Sequence, residues 1–296
     1  MWEEGVKGAP SHTPSSTPPP PTLLNRRLAT TLLHAVLLVG AALTAFPLLW
    51  MVSASFMPTG EASTFPPPLL PSAPTFEHYR ALFERADMGR YLLNSALVAT
   101  LVTLVSLLIN SLAGYAFAKL RFRGREKLFQ SLLAALVIPA QVAMLPLFLE
   151  MRALGLVNSY AGVIVPAAAS IFGIFLIRQF ATSIPESLLE AARIDGASEF
   201  AIYRRVALPL LRPVLVTLAL FTFMGSWNDF MWPLIVLTDD DLYTLPVALA
   251  TLTRERVQDN EFMMAGAVVT TLPVLLVFLA LQRQYVRGIM LGGVKG

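Results

Sequence analysis

Ionisable side chains interrupt the apolar sequence in the stretch EAARIDGASEFAIYRRVALP, at residues 190–209. Only 14% of the whole chain is charged, yet this stretch contains Glu190, Arg193, Asp195, Glu199, Arg204 and Arg205. Carboxylates and guanidinium groups at helical spacing form ion pairs, either within a helix or with a second protein. These residues therefore favour recognition by charge rather than the making and breaking of bonds.

Patterns typical of catalysis and metal binding are missing from the sequence. It contains no cysteine, and its three histidines lie far apart, at His12, His34 and His78. No phosphate-binding loop of the form GxxxxGK followed by Ser or Thr occurs; the nearest fragment, GREKLF from Gly124, lacks the first glycine and the hydroxyl residue. We therefore expect no metal, no cofactor and no ATP hydrolysis in this chain.

The elements that must position the charged stretch are membrane helices. The chain has 296 residues, is 55% hydrophobic and has a mean hydropathy of +0.64, values typical of a membrane protein. Six apolar stretches have the roughly 20 residues needed to cross a bilayer: residues 28–52, 91–117, 128–149, 160–180, 207–237 and 262–282. Prolines in all but the second predict kinked helices. We predict an all-α membrane protein with six transmembrane helices in residues 28–296, after a disordered Pro/Ser-rich cytoplasmic tail in residues 1–27.

Basic residues are distributed unequally between the two sides of these six stretches. With the N-terminus inside, 16 of the 22 Lys and Arg residues fall in cytoplasmic segments and six in outer segments. This positive-inside bias predicts a multi-pass protein of the cell membrane with both termini in the cytoplasm. It also accounts for the net charge of +3 without a nucleic-acid partner, because the basic residues flank apolar spans rather than a soluble face.

Two polar features fall inside the apolar stretches. Asp229, in the sequence SWNDFMWP of the fifth stretch, either faces a water-filled path or lies at headgroup depth beside Trp227 and Trp232. In the second stretch, small polar residues recur on one helical face, at Thr103, Ser106, Asn110 and Gly114. Helix packing is the favoured interpretation of this stripe, and cavity lining is the alternative.

The charged stretch begins with a predicted amphipathic helix. Ser183 is a candidate N-cap, Pro185 suits the first turn, and Gly196 is expected to end the helix in a left-handed conformation. At about 100° per residue, Glu186, Glu190 and Arg193 share one face, and Leu188, Ala191 and Ala192 lie opposite. A second helical piece is expected at residues 198–206, before Leu208-Pro209 enters the fifth span. An anchor on the membrane surface would carry larger apolar side chains, so we interpret the first helix as a docking element for another protein.

The spacing of this segment resembles the EAA signature of permease subunits of bacterial ABC importers. The family pattern is EAA, three residues, G, nine residues, I, one residue, LP. Here it is met by Glu190, Ala191, Ala192, Gly196, Leu208 and Pro209, with Val206 in place of Ile. The sequences GYAFAKLRFRGR (114–125), GLVNSYAGVIVP (155–166), WNDFMWPL (227–234) and QYVRGIMLGGVKG (284–296) are similar to the carbohydrate branch, in particular to the shorter six-span permease of systems that move oligosaccharides such as maltose.

This resemblance implies the type I permease fold of ABC importers, with residues 185–209 as a cytoplasmic coupling segment. The residues implied to couple to the ATPase are Glu190, Ala191, Ala192, Asp195, Gly196, Leu208 and Pro209. The implied partners are a second permease subunit, an ATP-binding cassette ATPase dimer, an extracytoplasmic sugar-binding protein and the lipid bilayer. The expected function is sugar import by alternating access, and the chemistry best suited to line the path belongs to Asn110, Trp227, Asn228 and Asp229.

Three alternatives stay open at the level of the sequence. A permease for another solute, such as glycerol-3-phosphate, phosphate or a polyamine, would carry the same signature. An ion-coupled secondary transporter usually has several intramembrane ionisable groups and an internal repeat, neither of which is evident. A membrane-embedded enzyme would need a nucleophile, base or metal constellation, which the sequence lacks.

Overall fold

The structure is a computed structural model in which residues 23–255 and 259–293 are described. Within these residues the secondary structure is helical and contains no β-strand, as the all-α prediction requires. A π-helical turn covers Tyr203–Ala207, and a 3₁₀ turn covers Asp240–Leu242. In chain order, α1 to α14 cover Leu23–Ala54, Glu77–Arg85, Met88–Lys119, Arg125–Ala135, Ala140–Ala153, Tyr160–Ala167, Ile171–Thr182, Glu186–Ile194, Glu199–Ile202, Leu208–Leu210, Arg212–Trp227, Met231–Val236, Leu245–Glu255 and Asn260–Gly293.

The chain divides into two compact units, residues 1–49 and 50–296. As far as it is described, the first unit is the initial part of α1, whose apolar side chains are exposed; Leu38 and Leu43 are each 70% exposed. A helix that is apolar on all sides suits a lipid environment or contact with another membrane helix. The predicted tail, residues 1–27, lies largely outside the described residues, and α1 already begins at Leu23.

Among the described residues, three helices are individually long and apolar enough to cross a membrane: Thr30–Ala54, Met88–Lys119 and Asn260–Ala280. Three further pairs pass the same test only as bent pairs, with bends of 106° between α4 and α5, 40° between α6 and α7, and 78° between the α9–α10 helix and α11. The described helices therefore allow up to six crossings if each bent pair counts as one.

Three of the predicted spans are not continuous helices, including the fourth, residues 160–180, in which α6 ends at Ala167 and α7 starts at Ile171. The third, residues 128–149, is divided because α4 ends at Ala135 and α5 starts at Ala140; Pro139 lacks an N–H group and disfavours the helical conformation of the residue before it. The fifth, residues 207–237, is interrupted after Trp227 and resumes at Met231. Asn and Asp, which compete with the backbone for hydrogen bonds, occupy the interruption.

The second unit is organised around α3, which packs against α7 and α11, while α11 also packs against α14. Small residues bring α3 and α7 together: a β-carbon added at Gly114 would lie 2.6 Å from the Cβ of Ile177. Asn110 is fully buried in the same interface, where its Oδ1 accepts a hydrogen bond from the N–H of Ser170 at 3.0 Å. These contacts confirm the packing interpretation for Asn110 and Gly114 of the polar stripe on α3.

Candidate coupling segment and membrane cleft

The EAA segment, defined as residues 185–209, begins with α8, whose end is set by Gly196. This glycine has a φ of +79°, and the N–H groups of Gly196 and Ala197 donate to the carbonyls of Arg193 and Ala192, each at 3.0 Å. The two bonds satisfy carbonyls that a helix end leaves open, and the left-handed conformation suits glycine. The predicted role of Gly196 as the helix terminator is confirmed.

The start of α8 differs from the prediction. Pro185 occupies the N-cap position and provides no side-chain cap. Ser183 instead closes α7, because its Oγ donates to the carbonyl of Phe180 at 2.7 Å. The predicted N-cap at Ser183 is therefore wrong: the residue lies three positions before Glu186, whereas a cap immediately precedes the first helical residue.

The second half of the EAA segment is a short helix with an irregular turn. Ser198 caps it, since its Oγ accepts a hydrogen bond from the N–H of Ala201 at 3.3 Å. The helix then passes through the π-helical turn and ends at Leu210. The chain bends by 78° there before α11 begins, so the Leu208-Pro209 pair stands at the entrance to α11, as expected from the sequence.

The buried and exposed faces of α8 are not the apolar and charged faces that the sequence predicts. Leu189 is fully buried, and Ala192 packs against the same core cluster. On the opposite side Leu188 and Ile194 are 47% and 86% exposed, and Glu190 and Ala191 are exposed as well. The predicted grouping of Ala192 with Ala191 on a docking face is thus wrong, because the chain's own core uses Ala192. The face open to a partner combines a carboxylate with apolar side chains.

Ion pairs within the EAA segment use the other charges of α8. Arg193 donates to Glu199 at 2.7 Å and to Glu186 at 3.2 Å, and hydrogen bonds to these two carboxylates raise the pKa of the guanidinium group. Partial burial acts to raise the pKa of Glu186, but the hydrogen bond from Arg193 and the charge of Lys119 outweigh it, so that pKa is lowered. Within the described residues, Glu190 has no ion pair and no side-chain hydrogen bond, which leaves its carboxylate available.

A second site is a cleft of about 470 Å³ bordered by α3, α5, α6, α7, α11 and α12. Its polar side chains are four hydroxyls and one carboxylate: Ser106, Ser170, Thr222, Ser226 and Asp229. Aromatic rings border it at Phe172, Phe221 and Trp232. None of the described residues lining the cleft is basic. The arrangement can hydrogen-bond a hydroxylated molecule and pack against its apolar faces.

Of the four residues predicted to line a path, Asp229 borders this cleft and the other three do not. Asp229 lies in the break between α11 and α12, where its Oδ1 accepts a 3.4 Å hydrogen bond from the N–H of Trp232. Trp227 is 2% exposed and donates to the carbonyl of Thr270 at 3.1 Å. Asn228 is exposed and bonds within α11, and Asn110 is buried between helices.

Sequence reasoning missed Thr222 and Ser226, although a signal for them exists. With Asp229 they stand at positions i, i+4 and i+7, a spacing that predicts a shared helical face for the three residues. Trp232 also borders the cleft, and its Nε1 donates to the carbonyl of Gly162 at 3.0 Å.

Comparisons with known proteins agree with this architecture. Residues 110–290 match the family described as binding-protein-dependent transport system inner membrane component. The arabinooligosaccharides transport system permease protein of Halalkalibacterium halodurans is 39% identical over 86% of this chain and 93% of that protein. The lactose transport system permease protein of Rhizobium radiobacter is 35% identical over 88% of this chain and 95% of that protein.

A solved structure shares the fold over most of its length. A chain of a bacterial ABC transporter involved in the import of the acidic polysaccharide alginate superimposes with a TM-score of 0.78 and 26% identity, covering 89% of this chain and 99% of that one. The family match extends over more than half of the residues and includes the whole EAA segment. The chain therefore belongs to the family of inner membrane components of binding-protein-dependent transport systems.

Proposed function

We propose that this chain is the transmembrane permease subunit of an ATP-driven importer for a neutral di- or oligosaccharide. Residues 28–296 form six crossings with both termini in the cytoplasm, and residues 1–27 form a cytoplasmic tail. A second permease completes the path, a separate ATPase dimer supplies energy, and an extracytoplasmic binding protein delivers the sugar. The proposal is supported chiefly by the EAA segment. The outward face of its helix α8 is not covered by any described residue of this chain and is therefore open to a partner.

The proposed partner of this face is the ATPase. Leu188, Ile194 and Phe200 are 47%, 86% and 63% exposed. Full burial of a fully exposed apolar side chain contributes about 1.5–3 kcal/mol, and each of these three would contribute in proportion to its exposed fraction. Ala191 allows the partner to approach closely between them. Glu190, unpaired within the described residues, would meet a basic group of the ATPase. Asp195 and Gly196 form the turn after α8, and Leu208 and Pro209 connect the segment to α11.

The cleft supports a neutral sugar rather than an anionic solute. Hydroxyls, one carboxylate and aromatic rings suit a polyol, and about 470 Å³ is within the size range of small-molecule sites. Glycerol-3-phosphate and inorganic phosphate are recognised by basic groups, and the described residues of this chain contribute none to the cleft. The relatives named for arabinooligosaccharides and lactose agree with this preference.

Reconstitution tests this proposal. The chain would be placed in proteoliposomes with its ATPase and second permease, and uptake of labelled arabinooligosaccharide, lactose and sn-glycerol-3-phosphate would be measured with the binding protein outside. We expect uptake of a neutral sugar that depends on ATP and on the binding protein. Uptake driven by a proton or sodium gradient without ATP would instead identify a secondary transporter, and preferential uptake of the phosphate ester would refute the sugar assignment.

A further inference from the structure

The last turns of α3 contact the EAA segment through side chains. Ser111, Tyr115 and Lys119 are spaced four residues apart, so they form a stripe along the last turns of α3. All three contact or approach residues of the EAA segment or the turn that leads into it. The contacts lie on successive turns of α3, so the EAA segment is attached to α3 along several turns rather than at a single point.

The first contact is made by the ammonium group of Lys119, whose side chain is 7% exposed. Its Nζ donates to the carbonyl of Ile184 at 2.7 Å and to that of Thr182 at 3.4 Å. It also lies 3.5 Å from Oε2 of Glu186. A cation at the C-terminus of α7 is favourably placed toward the helix dipole, and a largely buried ammonium requires such partners. Lys119 therefore ties the end of α3 to the residues that start α8.

The second contact is made by Tyr203, which begins the π-helical turn of the EAA segment and is 5% exposed. Its hydroxyl is 2.7 Å from Oγ of Ser111, and its ring centroid is 5.4 Å from that of Tyr115. π-Helical turns are rare and are frequent at functional sites. This one belongs to a buried side-chain contact between the EAA segment and α3.

The route from this attachment to the cleft is an unbroken helix. Val102 and Ser106 of α3 border the cleft, and Ser106 lies 13 residues before Lys119, or about 20 Å along the helix axis. α3 has no proline and no break between these positions. The covalent route downstream of the EAA segment, in contrast, bends by 78° before it reaches α11. The rigid connection between the EAA segment and the cleft is therefore made by the side-chain contacts with α3. The covalent path into α11 is bent and is the less rigid of the two.

We infer that Lys119 and Tyr203 are positioning residues that lock the EAA segment to α3, so that movement of the segment is transmitted directly to the cleft. This inference rests on the proposed coupling function. Loss of either contact would let the ATPase move the segment without moving α3 to the same extent. ATP hydrolysis would then continue while less sugar is imported for each ATP consumed.

The test measures sugar imported per ATP hydrolysed in the reconstituted complex. Lys119→Met removes the ammonium group but keeps the side-chain length, and Tyr203→Phe removes one oxygen atom. We expect each to lower the ratio, with the larger loss in Lys119→Met, which removes two hydrogen bonds from a charged donor, and the smaller in Tyr203→Phe, which removes one hydroxyl contact. Lys119→Arg, which retains the charge, should recover part of the loss.

Matched controls separate this role from general stability. Lys127→Met removes an exposed lysine of α4, and Tyr160→Phe removes a tyrosine hydroxyl that bonds Oδ1 of Asn94 at 2.7 Å, elsewhere on α3. Both should keep the wild-type ratio. If Lys119→Met fails to assemble, Tyr203→Phe decides the matter.

Wild-type ratios in both Lys119→Met and Tyr203→Phe would overturn the lock while leaving the proposed function intact. A wild-type complex without ATP-dependent uptake would instead refute the proposed function itself.

Discussion

The close approach of α3 and α7 at Gly114 predicts a defined penalty for a single methyl group. In Gly114→Ala the new β-carbon would lie 2.6 Å from Cβ and Cγ2 of Ile177 and 3.0 Å from the backbone nitrogen of Arg178. Normal carbon contacts are about 3.5–4.0 Å, so the helices must separate by about 1 Å. Ile177 is β-branched, and its Cβ is fixed to the backbone, so side-chain rotation does not relieve the contact.

The magnitude follows from two opposing terms. Overpacking of a closely packed interface costs about 1–3 kcal/mol, and alanine gains about 0.5–1 kcal/mol over glycine inside a helix. Because rigid atoms make the contact, the upper part of the first range applies, and we expect a net loss of about 2 kcal/mol. At about 2–4 °C per kcal/mol, the unfolding midpoint should fall by about 4–8 °C.

Thermal unfolding of the detergent-solubilised protein, followed by the helical circular dichroism signal, measures this shift. The control is Gly40→Ala in α1, where an added β-carbon would meet no atom within 4 Å; its midpoint should equal or exceed that of the wild type. A midpoint for Gly114→Ala as high as that for Gly40→Ala would refute the close packing of α3 against α7.

Three further predictions concern the EAA segment and the cleft. Gly196→Ala places a β-carbon in a left-handed conformation at a cost of about 1–2 kcal/mol, so binding of the ATPase subunit should weaken by about fivefold or more, and Gly196→Asn should weaken it less; a titration of the purified components measures both. Since the folded-state pKa of Glu186 lies below its usual value of 4.5, its stabilising contribution is present above that pH and is lost as the pH falls through the folded-state value. A spin label at position 190 should therefore become more mobile only in that acidic range, and less so in Glu186→Gln. Asp229→Asn should change sugar uptake without changing basal ATP hydrolysis, and unchanged uptake would favour the headgroup-depth interpretation of Asp229.

Patterns with a local physical cause could be predicted from the sequence. The end of α8 required a residue that tolerates positive φ, and Gly196 was the candidate. The stripe of small residues on α3 has helical spacing, so its packing role could be inferred before its partner, α7, was known. The continuous apolar runs of α3 and α14 were likewise readable as spans.

Features that depend on tertiary contacts could not be predicted in this way. A helical wheel shows which residues of α8 share a face, but the side that the core covers depends on Leu189 meeting its neighbours. The positive-inside rule is sufficient to explain a lysine at position 119. The sequence therefore offered no separate reason to expect its contacts with Ile184 and Glu186. Hydropathy locates the third span but does not give its 106° bend. The indole ring of Trp227 is of a type that stacks against sugar rings, yet its side chain is buried in the hydrophobic core.

The proposed function requires the EAA segment to lie on the cytoplasmic side of the membrane and to be bound there by a separate ATPase. Because the chain has no cysteine, Glu190→Cys provides a single thiol on the exposed face of α8. A maleimide that does not cross membranes should label this thiol in inside-out vesicles and not in intact spheroplasts, and added ATPase subunit should protect it. Labelling from outside, or equal labelling with and without the ATPase, would contradict the account.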